Sequence, residues 1–420
     1  MSGDRGRSSR RKATPVAVQA VRADLPSGPE MGGSWPGFDE SELGRAVKSV
    51  AAEHGLEVVG FARARRYERA RQSLEHRLRE GLFARMRFTA ADPAKSCDPT
   101  AHLEGAKTVI ACGLPYDPTD LHPKPPHAGK IAAVARRDNY SLLRKGLEAI
   151  ADLLRTRGFK AKVFCDSPLL MDRPPAVDAG IGGFGKNCMV ITEKFGSFVV
   201  LGSVVTDAAL RPESASSGLA PCGTCFRCRA ACPSGAILAP GVLDARRCLA
   251  YLMQAPDWIP RWARPLIGNR FYGCDDCQTC CPLNRKARFV AAEEGGPVTE
   301  ESSGTAWVDP VWVLGVSDEV LLRKFGHFYI PRRNPDYLRR NALVVLGNTN
   351  DVALAEVAEG WLRHPRAMLR GHAVWAYARL AGSSATDRLH QLKRAENDQR
   401  VVAEIEACLS ELSEAQVADL

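Results

Sequence analysis

Cysteines in two short segments of this chain are spaced to hold iron–sulfur clusters. The first segment, PCGTCFRCRAACPSGA, places Cys222, Cys225, Cys228 and Cys232 in the pattern C-x2-C-x2-C-x3-C-P. Bacterial two-cluster ferredoxins use this run, and its last cysteine ligates the other cluster. The second segment, YGCDDCQTCCPLNR, also ends its cysteines on Cys-Pro and contains Cys274, Cys277, Cys280 and Cys281. The spacing predicts two 4Fe–4S clusters and one-electron chemistry.

The crossover in such ferredoxins divides the cysteines into two ligand sets. One set is Cys222, Cys225, Cys228 and Cys281, and the other begins with Cys232, Cys274 and Cys277. Its fourth ligand is either Cys248 or Cys280. We favour Cys248, because it lies free between the motifs whereas Cys280 is fixed beside Cys281. Structural zinc is the alternative for CxxC pairs, but zinc sites do not need the Cys-Pro ending. Disulfides would need an oxidising compartment.

The composition is that of an ordinary soluble protein. The 420 residues suffice for two or three domains, with 45% hydrophobic and 25% charged residues. Arg10 and Arg11 would suit a twin-arginine export signal, but the apolar stretch that follows them is short. We therefore expect residues 1–38 to be a disordered basic tail, and the protein to be cytoplasmic without membrane association. The net charge of +9 mildly favours a polyanionic partner such as nucleic acid.

Three regions with different patterns follow the tail, and together they indicate an α+β protein. Strands and helices alternate over residues 39–212, which predicts an α/β or α+β domain with a helix over 138–157 and a strand that ends at Asp166. Residues 213–295 are rich in loops and should be held by their clusters. Residues 318–415 form short helices with Ala, Leu and Val stripes, typical of HEAT-like repeats. Arg339 and Arg340 in this region either bind phosphates or belong to a charged outer face.

A glycine-rich segment, GIGGFGK, covers residues 180–186. It satisfies G-x-G-x-x-G and nearly satisfies the phosphate-loop pattern, but both matches are weak. No strand directly precedes it, no helix follows, and Asn187 replaces the hydroxyl that would bind a metal ion. The glycines would still let the backbone approach a flat ligand, and Lys186 could meet a phosphate or a carbonyl. The alternative is a flexible surface loop.

Three stretches together resemble one family, the epoxyqueuosine reductases, which catalyse the last step of queuosine formation in tRNA. They are DSPLLMDRPPAVDAGIGGFGKN, the two cysteine motifs with ARRCLAYL between them, and RRNALVVLGN. The likeness covers residues 40 to 350. It implies a cobalamin-binding α/β domain, a ferredoxin-like domain with two 4Fe–4S clusters, and helical repeats that bind tRNA. It also implies that Cys248 is the eighth cluster ligand and that Cys280 is a bystander.

The resemblance further assigns roles to single residues. Asp166 in the Asp-Ser motif would be the proton donor, and an acid is needed there because the epoxide oxygen leaves as water. The alternative is that Asp166 only caps a helix formed by the following residues. The family's glycine-rich loop lies against the corrin ring, and Leu249 also contacts it. The corresponding loop positions here are Gly185, Lys186, Asn187 and Val190.

The match is incomplete in two places, and two other functions compete with it. The family often has a histidine after its tyrosine, whereas Ser141 follows Tyr140 here, and Asp172 stands in place of a glutamate. A cobalamin-dependent reductive dehalogenase would share the cofactors, but it usually has an export signal and lacks the helical repeats. A ferredoxin-type electron carrier would not need Asp166 or the glycine-rich loop. We expect a monomer that acts on tRNA with an external one-electron donor.

Overall fold

The computed structural model describes most of the chain, and the predicted tail of residues 1–38 lies outside the described residues. Those residues are 40–86, 91–120, 123–212, 218, 220–285 and 305–418. All of them fall within one compact unit.

A four-stranded antiparallel sheet forms the centre of the N-terminal region. In spatial order its strands are β1 (Val58–Arg63), β2 (Thr108–Pro115), β7 (Val199–Thr206) and β4 (Ala161–Cys165). The strand predicted to end at Asp166 is present as β4 and ends one residue earlier, at Cys165. Of the two predicted alternatives the structure shows α+β, because neighbouring strands of this sheet run in opposite directions, and the α/β domain implied by the family resemblance is corrected accordingly. Alternation of helices and strands along a sequence does not determine strand direction.

Helices cover both faces of this sheet. On one face lie α1 (Glu40–Glu53) and α4 (Asn139–Thr156), the latter confirming the helix predicted over 138–157. Leu147 of α4 packs closely on Gly202 of β7. A Cβ atom added to Gly202 would lie only 2.6 Å from the Cδ1 atom of Leu147. On the opposite face lies α5 (Arg173–Asp178), because alternate residues of each strand point to opposite sides. The start of α4, the end of β4 and the start of α5 bring the candidate site together.

Shorter elements complete the N-terminal region and the cysteine segment. The N-terminal ones are α2 (Glu68–Arg79), α3 (Pro93–Ser96), β3 (Gly129–Ile131), β5 (Gly183–Phe184) and β6 (Val190–Ile191). The cysteine segment contains α6 (Arg227–Ala230), β8 (Ile237–Ala239), β9 (Val242–Leu243), α7 (Leu249–Gln254), α8 (Arg264–Ile267), β10 (Arg270–Tyr272) and α9 (Asp276–Thr279). Strand β3 pairs with β10 and with β11 (Trp307–Val308), so the sheet joins segments from distant parts of the sequence.

The C-terminal region is helical, as predicted. Its helices are α10 (Pro310–Gly315), α11 (Asp318–Lys324), α12 (Asp336–Gly347), α13 (Ala355–Glu359), α14 (Ala367–Ala381), α15 (Thr386–Ala395) and α16 (Gln399–Ala418). Helix α14 packs between α12 and α16, and one apolar core continues from these helices into the cysteine segment. The assignment of these helices to HEAT-like repeats stays a prediction. None of the helices in the described residues is both long and apolar enough to cross a membrane.

Candidate active site and iron–sulfur segment

The thiols of Cys222, Cys225, Cys228 and Cys281 form one group. Burial raises the pKa of Cys228, and repulsion from the thiolates of the other three raises it further. The pKa of Cys281 is raised by burial and by Cys222 and Cys225 in the same way. These mutual effects on the pKa indicate that the four residues that the sequence assigned to the first cluster lie close together. A bound cluster would reverse these shifts, because its ligands must be thiolates.

A second group contains Cys232, Cys248, Cys274 and Cys277. Burial raises the pKa of Cys274 to about 12, with a contribution from Cys248. The pKa of Cys248 is raised by burial and by Cys232. The pKa of Cys277 is raised by burial and then by Cys274 and Cys248. The backbone amide of Ala236 donates to the Cys232 sulfur at 3.2 Å, which is the type of contact that stabilises a thiolate ligand.

The two candidates for the eighth ligand lie in different surroundings. Cys248 interacts with the second group, whereas the pKa of Cys280 is raised by burial and then by Cys228 and Cys281 of the first group. In the described residues, no three His, Cys, Asp or Glu side chains converge closely enough to hold a single metal ion. A cubane cluster binds each thiolate on a different iron, so its ligands do not converge on one point.

Asp166 directly follows β4 and adopts a left-handed backbone conformation with φ of 47°. Although the residue is exposed, enough protein surrounds its carboxyl group to raise its pKa, an effect that Arg144 opposes. The guanidinium group of Arg144 also donates to the carbonyl of Cys165 at 2.9 Å. The next helix, α5, begins only at Arg173, so the alternative that Asp166 merely caps a helix is wrong.

Two further polar side chains lie near Asp166. The pKa of Tyr140 at the start of α4 is raised by burial and then by Asp166 and Asp172. The pKa of Asp172 is well above its ordinary value because the carboxyl group is buried beside Asp166. The Oδ1 atom of Asp172 is buried and has no hydrogen-bond partner among the described residues. The family resemblance identified Tyr140 as the retained tyrosine and Asp172 as the acid that replaces a glutamate, but it gave no sign that both would lie beside Asp166.

The glycine-rich loop connects the two cysteine groups. The ammonium group of Lys186 donates to the carbonyl oxygens of Gly223 and Cys225, at 2.6 Å and 3.1 Å, and lies over the Phe226 ring. The buried amide of Asn187 donates to the carbonyl of Cys277 at 3.3 Å. Lys186 is thus bonded to carbonyls of the chain itself.

Close packing explains two glycines of this loop without a ligand. A Cβ on Gly182 would meet the carbonyl of Ile191 at 2.7 Å, and one on Gly185 would meet Asn187 Oδ1 at 2.5 Å. The segment contains the short strand β5, continues towards β6 and enters no helix, as expected for a chance match to nucleotide-binding patterns.

Comparisons with known proteins agree with this geometry. The family model of a 4Fe–4S double cluster binding domain matches residues 221–284, so the chain contains such a domain. A second model, described as epoxyqueuosine reductase QueG, DUF1730, matches residues 97–167. The epoxyqueuosine reductase of Bacillus subtilis (strain 168) is 32% identical over 376 residues, which are 87% of this chain and 94% of that protein. This chain belongs to the epoxyqueuosine reductase family. It is therefore an oxidoreductase.

Other epoxyqueuosine reductases give the same result. The Pseudomonas aeruginosa enzyme is 32% identical over 356 residues, covering 81% of this chain and 95% of its own. A crystal structure of an epoxyqueuosine reductase with an epoxyqueuosine-modified tRNA-Tyr stem loop superposes with a TM-score of 0.81 at 28% identity. The Bacillus subtilis enzyme, with its catalytic aspartate loop swung out of the active site, gives 0.79 at 28% identity. Each match covers 89% of this chain and 100% of the other.

Val190 and Leu249, two cofactor contacts expected from the family resemblance, are 3% and 2% exposed. In this arrangement their side chains offer little surface to a cofactor, and contact with the corrin ring stays a prediction for both. Phe184, within the glycine-rich segment, exposes its apolar side chain.

The tRNA contacts expected from Arg339 and Arg340 are also corrected. Arg340 is fully buried and donates to the backbone carbonyls of Ala255 and Met253 at 2.6 Å and 2.7 Å. Arg339 is 7% exposed and forms an ion pair with Asp318 at 2.6 Å. Both guanidinium groups are used to hold α12 on its neighbours, so neither is placed to bind a phosphate.

Cys188 is a residue that the sequence did not single out. It has a positive φ of 67°. Burial raises its pKa, with opposing effects from Arg173 and Arg77 and small contributions from Cys228 and Cys248. These effects indicate that Cys188, just after the glycine-rich segment, lies near both cysteine groups and near Arg173 at the start of α5. The candidate active site and the iron–sulfur segment are thus neighbours.

Proposed function

We propose that the chain reduces epoxyqueuosine to queuosine in the anticodon loop of tRNA, with Asp166 as the proton donor. One observation carries the proposal: in a chain of this family, Asp166, whose pKa is raised, lies close enough to Tyr272 of the double-cluster segment to raise the pKa of that phenol as well. The related structure with a modified tRNA stem loop supports tRNA as the substrate.

The chemistry requires an acid at the position of Asp166. Removing the epoxide oxygen as water consumes two electrons and two protons, and the carbon–oxygen bond breaks more easily when the oxygen is protonated. Burial raises the Asp166 pKa and keeps more of the carboxylic acid protonated near neutral pH. Because the residue is also exposed, solvent can return its proton after each turnover.

The left-handed backbone of Asp166 supports a movable loop. A non-glycine residue with positive φ is strained and persists only where its surroundings hold it. The catalytic loop of the Bacillus subtilis relative, which contains an aspartate, has been observed swung out of its active site. We propose that residues 166–172 move in the same way to admit the substrate.

The cysteine groups fit two 4Fe–4S clusters. Cys222, Cys225, Cys228 and Cys281 would ligate one, and Cys232, Cys248, Cys274 and Cys277 the other. When bound, the clusters supply electrons one at a time. Lys186 and Asn187 would keep the loops of the two clusters at a fixed separation through their bonds to the carbonyls of Gly223 and Cys277.

We propose that cobalamin binds beside Asp166 and the glycine-rich loop. Leu169, three residues after Asp166, and Phe184 of the loop expose apolar side chains that a flat corrin would cover. The buried Oδ1 atom of Asp172, which has no hydrogen-bond partner within the described residues, could accept a hydrogen bond from a corrin amide once residues 166–172 move as proposed. We propose that Gly185, Lys186 and Asn187 hold the cofactor through the loop that they shape. When bound, cobalamin would supply a strongly reducing cobalt centre.

Further partners follow from the reaction. An external one-electron donor must reduce the clusters, and a tRNA substrate assigns the protein to the cytoplasm. The test is an assay of anaerobically reconstituted, cobalamin-loaded protein on tRNA that contains epoxyqueuosine, with the nucleosides analysed by mass spectrometry. Queuosine should appear and epoxyqueuosine should disappear. Unchanged epoxyqueuosine from protein with full iron and cobalamin content would contradict the proposal.

A further inference from the structure

A strained loop near Asp166 exposes an aromatic ring and a cation three residues apart. The loop comprises residues 326–334 and is called the rim loop below. Its Tyr329 is 55% exposed, although aromatic side chains of this size are usually covered. Arg332 is also exposed, and within the described residues its side chain forms no hydrogen bond or ion pair. The ring of Tyr329 and the guanidinium group of Arg332 are thus both accessible from solvent.

The backbone of the rim loop is held in an unfavourable conformation. Arg332 and Arg333 are consecutive and have φ values of 52° and 54°, a region that non-glycine residues rarely adopt. Such strain tends to persist where function requires a particular side-chain direction. The two arginines differ in their contacts. Arg333 donates to the carbonyls of Gly326 and Leu322 within this region, at 2.8 Å and 3.2 Å. Arg332 is exposed to solvent.

Buried contacts fix Tyr329 in the same way. Its backbone carbonyl accepts a hydrogen bond from the Tyr272 hydroxyl at 3.0 Å. The Tyr272 ring stacks on Phe328, with 4.0 Å between ring centroids. The rim loop is therefore fixed from beneath, and the exposed ring of Tyr329 is presented by a rigid base.

The rim loop packs against the segment that leads to the candidate site. His327 donates to the carbonyl of Ala135 at 2.8 Å. That segment continues into Tyr140, whose carbonyl accepts from the thiol of Cys165 at 3.7 Å. Cys165 directly precedes Asp166. The hydroxyl of Tyr272 donates to the Tyr329 carbonyl, and the pKa of Tyr272 is raised by burial and also by Asp166, so the base of the rim loop and Asp166 lie close together.

We propose that the rim loop binds the single-stranded loop of the RNA substrate, with Tyr329 stacking on an unpaired base and Arg332 binding a nearby phosphate. This inference rests on the proposed tRNA substrate. Proteins that recognise RNA loops stack splayed bases on aromatic rings and hold the backbone with cations. The rim loop combines both groups, and it supplies the contacts that buried Arg339 and Arg340 cannot make.

The test measures binding of a fluorescein-labelled anticodon stem loop to the cluster-loaded protein by anisotropy over a range of salt concentrations. Tyr329→Ala should weaken binding roughly tenfold, the usual effect of losing one stacked base. Tyr329→Phe should bind as the unmodified protein does. Arg332→Gly removes the cation without adding strain, because glycine adopts positive φ freely. It should weaken binding and reduce the slope of log K against log salt by about 0.7.

The matched control is Arg323→Ala, which removes an exposed arginine from the neighbouring helix α11. Arg323→Ala should weaken stem-loop binding less than Arg332→Gly does. Wild-type affinity and salt slope in both Tyr329→Ala and Arg332→Gly would overturn the inference and leave the proposed function standing. If the unmodified protein itself failed to bind the stem loop at low salt, the proposed function would fail together with the inference.

Discussion

Lys186 on the glycine-rich loop donates a hydrogen bond to the carbonyl of Gly223, 2.6 Å away, inside the first cysteine run. The same ammonium group reaches the carbonyl of Cys225 at 3.1 Å. One side chain therefore links the loop beside Asp166 to the loop that would surround the first cluster. Loss of this link should therefore weaken retention of the first cluster without unfolding the protein.

Lys186→Met should weaken retention of the first cluster. Methionine keeps the apolar stem but loses two charge-assisted hydrogen bonds, each worth roughly 1.5–3 kcal/mol when buried and less here because Lys186 is partly exposed. The variant should release iron to a chelator several-fold faster under anaerobic conditions. Lys194→Met, which breaks a surface ion pair with Glu57, should behave like the unmodified protein. Equal release rates in all three proteins would contradict the proposed link.

Cys248→Ser and Cys280→Ser separate the two candidates for the eighth ligand. Cys248 interacts with Cys232, whereas Cys280 interacts with Cys228 and Cys281. After anaerobic reconstitution, Cys248→Ser should retain about half of the iron, since each 4Fe–4S cluster needs four thiolates. Cys280→Ser should retain nearly all of it. Iron analysis and electron paramagnetic resonance report both outcomes, and the reverse pattern would assign Cys280 to the second cluster.

Local sequence patterns predicted α4 and β4, because each depends on residues close together in the chain. The division of the cysteines came instead from the ferredoxin crossover pattern, which combines Cys281 with the distant Cys222. The antiparallel sheet was not predictable from local patterns, since β2 and β7 pair across a long separation. Arg340 was misassigned for a related reason. An arginine is usually exposed, and only the folded structure reveals the backbone carbonyls that surround this one.

The candidate site shows the same limit. The Asp-Ser motif identified Asp166, but its raised pKa depends on burial that the sequence does not encode locally. The unpartnered oxygen of Asp172 is likewise a property of packing. Lys186 was expected to meet a ligand, and instead it bonds to carbonyls that lie 37 and 39 positions away in the chain.

Asp166→Asn should abolish most epoxide reduction while keeping the clusters and cobalamin. Asparagine tolerates positive φ, so this change removes the acid with little added strain. Loss of a general acid typically costs roughly 10²- to 10⁴-fold in rate. In the unmodified protein the rate should fall as the pH rises through the elevated Asp166 pKa, because only the protonated form donates. Single-turnover rates across pH test this.

Two outcomes distinguish a proton donor from a structural residue at position 166. Asp166→Glu should recover part of the rate of epoxide reduction, and that rate should fall as the pH rises. The residual rate of Asp166→Asn should not show this fall. Cobalamin absorption and iron content measured on each variant exclude loss of cofactor as the cause. An Asn variant that turns over at the unmodified rate would remove Asp166 from the proposed chemistry.

His372 should make the stability of the C-terminal helices depend on pH. It is fully buried in α14, where its Nδ1–H donates to the Met368 carbonyl at 2.7 Å and its Nε2 accepts from the Ile259 amide at 3.2 Å. Burial, aided by repulsion from Arg264, holds its pKa well below the ordinary value of 6.5. The folded chain therefore keeps this ring neutral, while the unfolded chain protonates it below pH 6.5.

The neutral ring of His372 should make the folded protein less stable as the pH falls. Below pH 6.5 the unfolded state binds one more proton than the folded state, so His372 lowers the free energy of unfolding as the pH falls. The expected slope is about 1.4 kcal/mol per pH unit. His372→Gln can keep both hydrogen bonds without titrating, so its melting temperature should depend less on pH between 5 and 6.5 than that of the unmodified protein. His390→Gln, at an exposed position, is the control for removing a histidine. The difference between the two variants isolates the buried ring from the acid sensitivity of the clusters, and equal pH dependence in both would show that His372 is protonated in the folded protein.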